Sequence, residues 1–239
     1  MFDVMNPSRE SAPLSWPEIY RRWRSSSLGA ITDQIEWNAI RDAAGNLDGA
    51  RVLDVGCGDG SLASALRKLG ARVLAVDASL PMLQAARSNA SGRTNGLLLV
   101  QARAEALPLA SGSLEAAFAV TVLCHQPRPQ PALLEMARAL RPGGRLILGE
   151  LGPYSLWAIW RRIRGLFGSD LWRQAWFRSP RRWRKLLREA GLTDFRWSGA
   201  VLYPPTAWTA RLLAPIDRVA ARLFPWASAF LVLRGNKPS

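Results

Sequence analysis

Nine residues concentrate the chemistry of this chain: Val52-Leu53-Asp54-Val55-Gly56-Cys57-Gly58-Asp59-Gly60. An apolar run carries an acid near its end, and three glycines follow at alternate positions. Glycine turns without a Cβ clash and lets backbone come close to a ligand. The spacing is G-x-G-x-G, not the G-x-G-x-x-G of dinucleotide binding, and no G-K-[ST] of a phosphate loop follows. Asp54 would repel a pyrophosphate but suits a cation. Asp77 ends the next apolar run, Val73-Leu74-Ala75-Val76. An acid at the tip of a second strand can accept from both ribose hydroxyls. A nucleoside with a cationic amino-acid tail satisfies both carboxylates.

S-adenosylmethionine is such a molecule. Residues 52–60, Asp77, Glu105 and Leu140-Arg141-Pro142-Gly143-Gly144, in that order, resemble a class I S-adenosylmethionine-dependent methyltransferase. The nearest likeness is the type 11 domain, which includes ubiquinone- and menaquinone-biosynthesis methyltransferases, and it covers about residues 50–150. The resemblance implies a Rossmann-like seven-stranded, mostly parallel sheet with the last strand antiparallel. It implies that Asp54, Gly56, Cys57 and Gly58 hold the methionyl end and Asp77 with Ala78 the ribose. Ala104 and Glu105, in Ala104-Glu105-Ala106-Leu107-Pro108, would lie beside the adenine. The family commonly carries Asp ahead of that alanine; here it is Arg103, so one adenine-binding carboxylate is missing.

Thr121-Val122-Leu123-Cys124-His125 would face the transferable methyl. Thr121 is assigned to the cofactor side. His125, the only histidine, can take a proton near neutral pH. Its role is either general base or site lining. Cys57 is read as a small apolar residue, because methyl transfer needs no covalent enzyme intermediate. Glu150 either orients the acceptor or pairs with an arginine. Tyr20, Trp23 and Trp157 complete the candidate acceptor residues, and no metal site is expected.

The elements that must position these groups alternate. Strands are expected at 51–55, 72–76, 97–101, 116–122 and 145–149, with helices at 61–69, 80–90 and 130–140 between them. Such alternation predicts a parallel sheet with helices on both faces. Residues 1–45 read as an N-terminal segment, poorly ordered to about residue 15. Its helical part either folds over the cofactor or packs on the sheet. Residues 46–152 form the binding core. Residues 153–190 are an inserted basic, Trp-rich helical cap, and 191–239 complete the sheet. On the helix over 156–167, Leu156, Ile159, Trp160, Ile163, Leu166 and Phe167 share one face, with Arg161, Arg162 and Arg164 outside it. A basic amphipathic helix over 206–224 is interrupted at Pro215.

Charge divides the chain. Of 32 Lys and Arg against 18 Asp and Glu, residues 151–239 hold 16 and 4, together with eight of the 11 tryptophans. That stretch suits an anionic surface or partner. Three readings stand: a cap with solvated arginines, an acceptor channel resting on an anionic membrane, or a nucleic-acid surface that stacks bases on Trp. No run of about 18 apolar residues is present, no apolar leader opens the chain, and two cysteines make no disulfide framework. A cytoplasmic enzyme is expected, peripheral to the membrane if the second reading holds. Its acceptor would be a small, apolar or lipid-like molecule such as a quinone precursor. The alternatives are an RNA-directed methyltransferase and a silent S-adenosylmethionine-binding protein.

Overall fold

The computed structural model describes residues 15–90 and 97–239; the expectation for the chain before Ser15 lies outside them. Two helices come first, α1 (Trp16–Ser25) and α2 (Ser27–Ala44). Ser26 separates them. Its hydroxyl accepts from the Gly29 N–H at 3.0 Å and caps α2. A Cβ on Gly29 would lie 2.0 Å from the Trp23 carbonyl oxygen, so only glycine lets α2 start this close to the end of α1.

The alternation then runs β1 (Arg51–Val55), α3 (Ser61–Lys68), β2 (Arg72–Asp77), α4 (Leu80–Asn89), β3 (Leu97–Gln101), β4 (Leu114–Val120), α5 (Gln130–Ala139) and β5 (Leu140–Leu151). After it come α6 (Leu156–Leu166), α7 (Asp170–Arg173), α8 (Pro180–Glu189), β6 (Thr193–Ala200), α9 (Ala207–Leu223) and β7 (Phe230–Asn236). The seven strands form one sheet in the order β3-β2-β1-β4-β5-β7-β6. β7 is antiparallel to both its neighbours, β5 and β6, while the β1, β2, β3, β4 and β5 pairings are parallel. This is the Rossmann-like arrangement anticipated from the motif order.

Burial follows the two-residue period of strands. Val52, Val73, Phe118 and Ile147 join one core. Leu53, Val55, Ala117 and Leu148 join the other, on the opposite face of the sheet. Trp183, Leu186 and Leu187 of α8 belong to that second core, so α8 covers the sheet. Only α6 and α7 of the 153–190 segment contribute to the cleft walls. From β1 the chain winds outward to β3, then returns to place β4 on the other side of β1. The cleft beyond the carboxyl ends of β1 and β4 is therefore the switch point where this architecture binds ligands.

Two helical expectations need correction. α9 runs unbroken through Pro215. Two residues on, Asp217 accepts the N–H groups of Val201 at 3.0 Å and Leu202 at 2.6 Å, which anchors the helix beyond the proline. On α6 the apolar stripe faces outward, except at Trp160, which packs on the core. Leu156, Ile159, Ile163, Leu166 and Phe167 are exposed, whereas Trp157, Ala158, Arg161 and Gly165 are buried. The reason is an aromatic cluster: Trp157 donates through Nε1 to the Tyr203 carbonyl at 2.8 Å and meets Trp23, Trp160 and Tyr203 edge-on.

Candidate active site

The glycine loop is tied to β2. The N–H groups of Gly56 and Cys57 both donate to the Val76 carbonyl, at 2.8 and 3.0 Å. Gly56 has φ +67°, and a Cβ there would meet Val122 Cγ2 at 2.4 Å. Gly58 has φ +54° and faces open space: beyond its chain neighbours, no atom of the described residues lies within 4 Å of a Cβ built on it. Its N–H donates to Asp77 Oδ2 at 2.9 Å, and the Ser79 N–H donates to Asp77 Oδ1 at 2.8 Å. Backbone thus fixes the Asp77 carboxylate at the strand tip, leaving each oxygen a free lone pair. Thr121, after β4, is held at φ 51° with its N–H on the Gly149 carbonyl at 2.7 Å. A non-glycine residue in that region stores strain, which is common where a chain is shaped for a ligand.

These residues line a cavity of about 680 Å³. Asp54, Gly56, Cys57, Gly58, Asp77, Ala78, Ala104, Glu105, Thr121 and His125 all face it. Asp54 is 1% exposed and its Oδ2 has no hydrogen-bond partner. Burial, followed by the nearby Asp77 charge, pushes its pKa up to about 7. A buried carboxylate with one unpartnered oxygen and a glycine facing open space suit a ligand with a cationic end. The residues therefore fit S-adenosylmethionine: Asp54 and the Gly56–Gly58 backbone for the amino-acid end, Asp77 for the ribose. Arg103 pairs with Glu105 at 3.4 Å on the rim. Burial raises the Cys57 thiol well above its ordinary range, so it stays protonated and unreactive at neutral pH.

One pairing in this site leaves no mark in sequence spacing. Arg24, on α1, donates to Asp59 Oδ1 and Oδ2 at 2.7 and 2.6 Å and to Ser61 Oγ at 2.6 Å. Asp59 sits inside the glycine motif and is buried. The pair fastens the N-terminal helix to the loop, and both residues line the cavity. Arg24→Ala leaves the Asp59 carboxylate buried without its partner. Partial exposure of Arg24 discounts the usual cost of such a break. The expected result is about tenfold weaker cofactor binding, roughly 1.4 kcal/mol, read by calorimetry. Unchanged affinity would show that α1 takes no part in holding the loop.

A second cavity, of about 460 Å³, adjoins the first. Tyr20, Arg24, Leu62, Val120, Thr121 and His125 line both, so the two meet at the carboxyl end of β4. Its own walls include Trp23 and Glu36 from the N-terminal helices and Trp157, Arg161 and Trp172 from α6 and α7. Burial raises Tyr20 to about 12, keeping its hydroxyl protonated. Burial and then the Arg161 charge lower the pKa of His125, so the imidazole is neutral and able to accept a proton at pH 7. Glu150 lines neither cavity. It lies wholly buried beneath the 3₁₀ turn Leu123–His125, where burial raises its pKa to about 8 against the opposing Arg178 charge. Arg178 in turn donates to the Leu123 and Pro127 carbonyls, both at 3.1 Å, steadying the loop around His125.

Residues 53–148 match a family model described as a methyltransferase domain, of type 11. The ubiquinone biosynthesis O-methyltransferase of Xanthomonas oryzae pv. oryzae is 37% identical over 109 residues, 44% of this chain and 45% of that protein. The chain spans less than half the length of the curated relatives it matches. Among solved structures, a Thermotoga maritima protein described as a possible histamine N-methyltransferase superposes with a TM-score of 0.70. It is 24% identical and covers 91% of this chain and 94% of that one. Phosphoethanolamine N-methyltransferase 2 of Haemonchus contortus, solved with S-adenosyl-L-methionine, gives 0.64 at 16% identity, covering 95% and 61%. The motif, the sheet order and the family match agree: this chain carries a class I S-adenosylmethionine-dependent methyltransferase domain, centred on residues 53–148.

Proposed function

We propose that the protein transfers a methyl group from S-adenosylmethionine to a small, largely apolar acceptor held in the second cavity. One observation carries this reading: a cavity lined by Asp54, Asp77 and the glycine loop opens, at Thr121 and His125, into one walled by tryptophan. When bound, the cofactor supplies a methyl on a sulfonium that is already a good leaving group. The chain's own residues bring the acceptor into line and keep water away. His125 accepts a proton where the acceptor atom carries one that must leave. Tyr20, on the wall common to both cavities, and Trp23 with Trp157 set the acceptor's orientation. An aromatic acceptor such as a quinone precursor suits these walls, and the 37% identity to a ubiquinone biosynthesis O-methyltransferase favours the same class.

Purified protein given methyl-labelled S-adenosylmethionine and a cell extract is expected to place label in the organic-soluble fraction. Label in RNA would favour the nucleic-acid reading, and label in neither would favour a silent binding protein.

A second feature supports action at a lipid surface. α6 and α9 expose apolar stripes, with Leu166 and Phe167 at 84% and 85% and Trp208 and Leu223 both at 68%. Arginines flank them, including Arg162, Arg211 and Arg222. Among the described residues no helix is long and apolar enough to cross a membrane. Basic amphipathic helices of this kind lie in the interface of an anionic bilayer. Vesicles containing phosphatidylglycerol are expected to sediment the protein, and Phe167→Asp to cut the bound fraction by about fivefold. Equal binding to neutral vesicles, or no effect of the substitution, would count against this surface.

A further inference from the structure

Arg161 is a buried cation with no ion-pair partner among the described residues. Its side chain is at the cavity wall on α6, and the residue is only 7% exposed. The guanidinium lies 5.0 Å from the ring centroids of both Trp157 and Trp172. These faces offer cation–π attraction, which favours Arg over Lys at a stacked site. Hydrogen bonding is meagre: one N–H of Nη1 reaches the Ala229 carbonyl at 3.5 Å, and Nε has no partner. No carboxylate of the described residues lies within ion-pair distance of Arg161. Asp33, on the same cavity wall, is engaged by Arg24 at 3.3 Å. Glu36, on the same cavity wall, is the charge that offsets Arg161 most. Burial lowers the Arg161 pKa to about 10, which still leaves it charged at neutral pH.

Such a group is costly to bury for packing alone. An apolar side chain of similar volume would serve at least as well, because desolvating an unpaired charge is unfavourable. A planar fork with free donors in a ligand cavity is instead suited to an anion, most of all a carboxylate, which takes two parallel N–H bonds.

We propose that Arg161 is the anion-binding group of the acceptor site, and that the acceptor is a flat, largely apolar molecule bearing a carboxylate. The inference rests on the methyltransferase reading above and narrows its substrate class. With its carboxylate on Arg161 and its ring against Trp157 and Trp23, the acceptor extends toward Thr121 and His125, where the two cavities join. Arg161 acts on orientation, not on the transferred methyl.

The test uses the full chain saturated with S-adenosylhomocysteine, with benzoate, benzamide and inorganic phosphate as probes, followed by tryptophan fluorescence and calorimetry. Trp157 and Trp172 flank the guanidinium and should report an anion there. Benzoate is expected to bind at least tenfold tighter than its neutral isostere benzamide. Arg161→Gln should abolish that preference, and Arg161→Lys should retain only part of it. Arg161→Met should melt no lower than the wild-type protein, which an arginine needed for packing would not allow. Equal binding of benzoate and benzamide, or a preference that survives Arg161→Gln, overturns the proposal. Phosphate displacing benzoate and binding more tightly also overturns the carboxylate assignment, since the site would then prefer a phosphoryl group. Failure of S-adenosylhomocysteine to bind at all would instead remove the methyltransferase reading on which the proposal rests.

Discussion

Asp77→Ala is expected to weaken S-adenosylmethionine binding by about 100-fold. The substitution removes two effects at once. It deletes the acceptor of the ribose hydroxyls, and charged hydrogen bonds are worth about 1.5–3 kcal/mol each. It also frees the N–H of Gly58, now 2.9 Å from Oδ2, and that of Ser79, 2.8 Å from Oδ1. The glycine loop then loses its tie to the tip of β2. Isothermal titration calorimetry measures the change directly. Asp77→Asn should recover part of the loss, because an amide oxygen still accepts one bond. Wild-type affinity in the alanine variant would mean that the ligand lies elsewhere.

Asp54 predicts a pH dependence of nearly equal size. Its pKa in the ligand-free protein is about 7, against about 3.9 for an exposed aspartate. Between those values the folded chain holds a proton that the unfolded chain has released. This group therefore favours the folded state most at low pH, and its contribution is lost as pH rises through about 7. A cationic amino group needs the ionised carboxylate. Binding must release the proton below pH 7, so affinity should rise by up to about tenfold per pH unit from pH 5 toward 7 and then level off. Calorimetry in buffers of different ionisation enthalpy should show proton release at pH 6 and little at pH 8. Asp54→Asn should flatten this profile and weaken binding at pH 8 by about tenfold or more. A flat profile in the wild-type protein would place the amino group away from Asp54.

The cofactor half of the site was readable because its demands are local. Gly56 must turn with positive φ against Val122, and Asp77 must end its strand. Both requirements leave marks at fixed spacing, and the alternation of strands and helices follows from burial on two sheet faces. The acceptor half left weaker marks. A period of 3.6 on α6 shows that an apolar stripe exists, not that the stripe is the covered side. Trp157, bonded to the Tyr203 carbonyl, decides which way the helix faces, and that contact joins residues 46 positions apart. The sequence shows only that Arg161 lies outside the apolar stripe, while the fold buries it between two indoles. Arg24 and Asp59 are separated by 35 positions and show no pattern that links them. Glu150 illustrates the opposite limit: its place one residue beyond Gly149 leaves acceptor contact and arginine pairing both open, and β5 continues to Leu151 and carries it into the interior.

The most direct test of the central claim is a calorimetric titration of the purified chain with S-adenosylmethionine, alongside NAD⁺. The account predicts one S-adenosylmethionine site per chain, strongly weakened in Asp77→Ala, and no binding of NAD⁺. Absence of S-adenosylmethionine binding, or binding unaltered by Asp77→Ala, would contradict it.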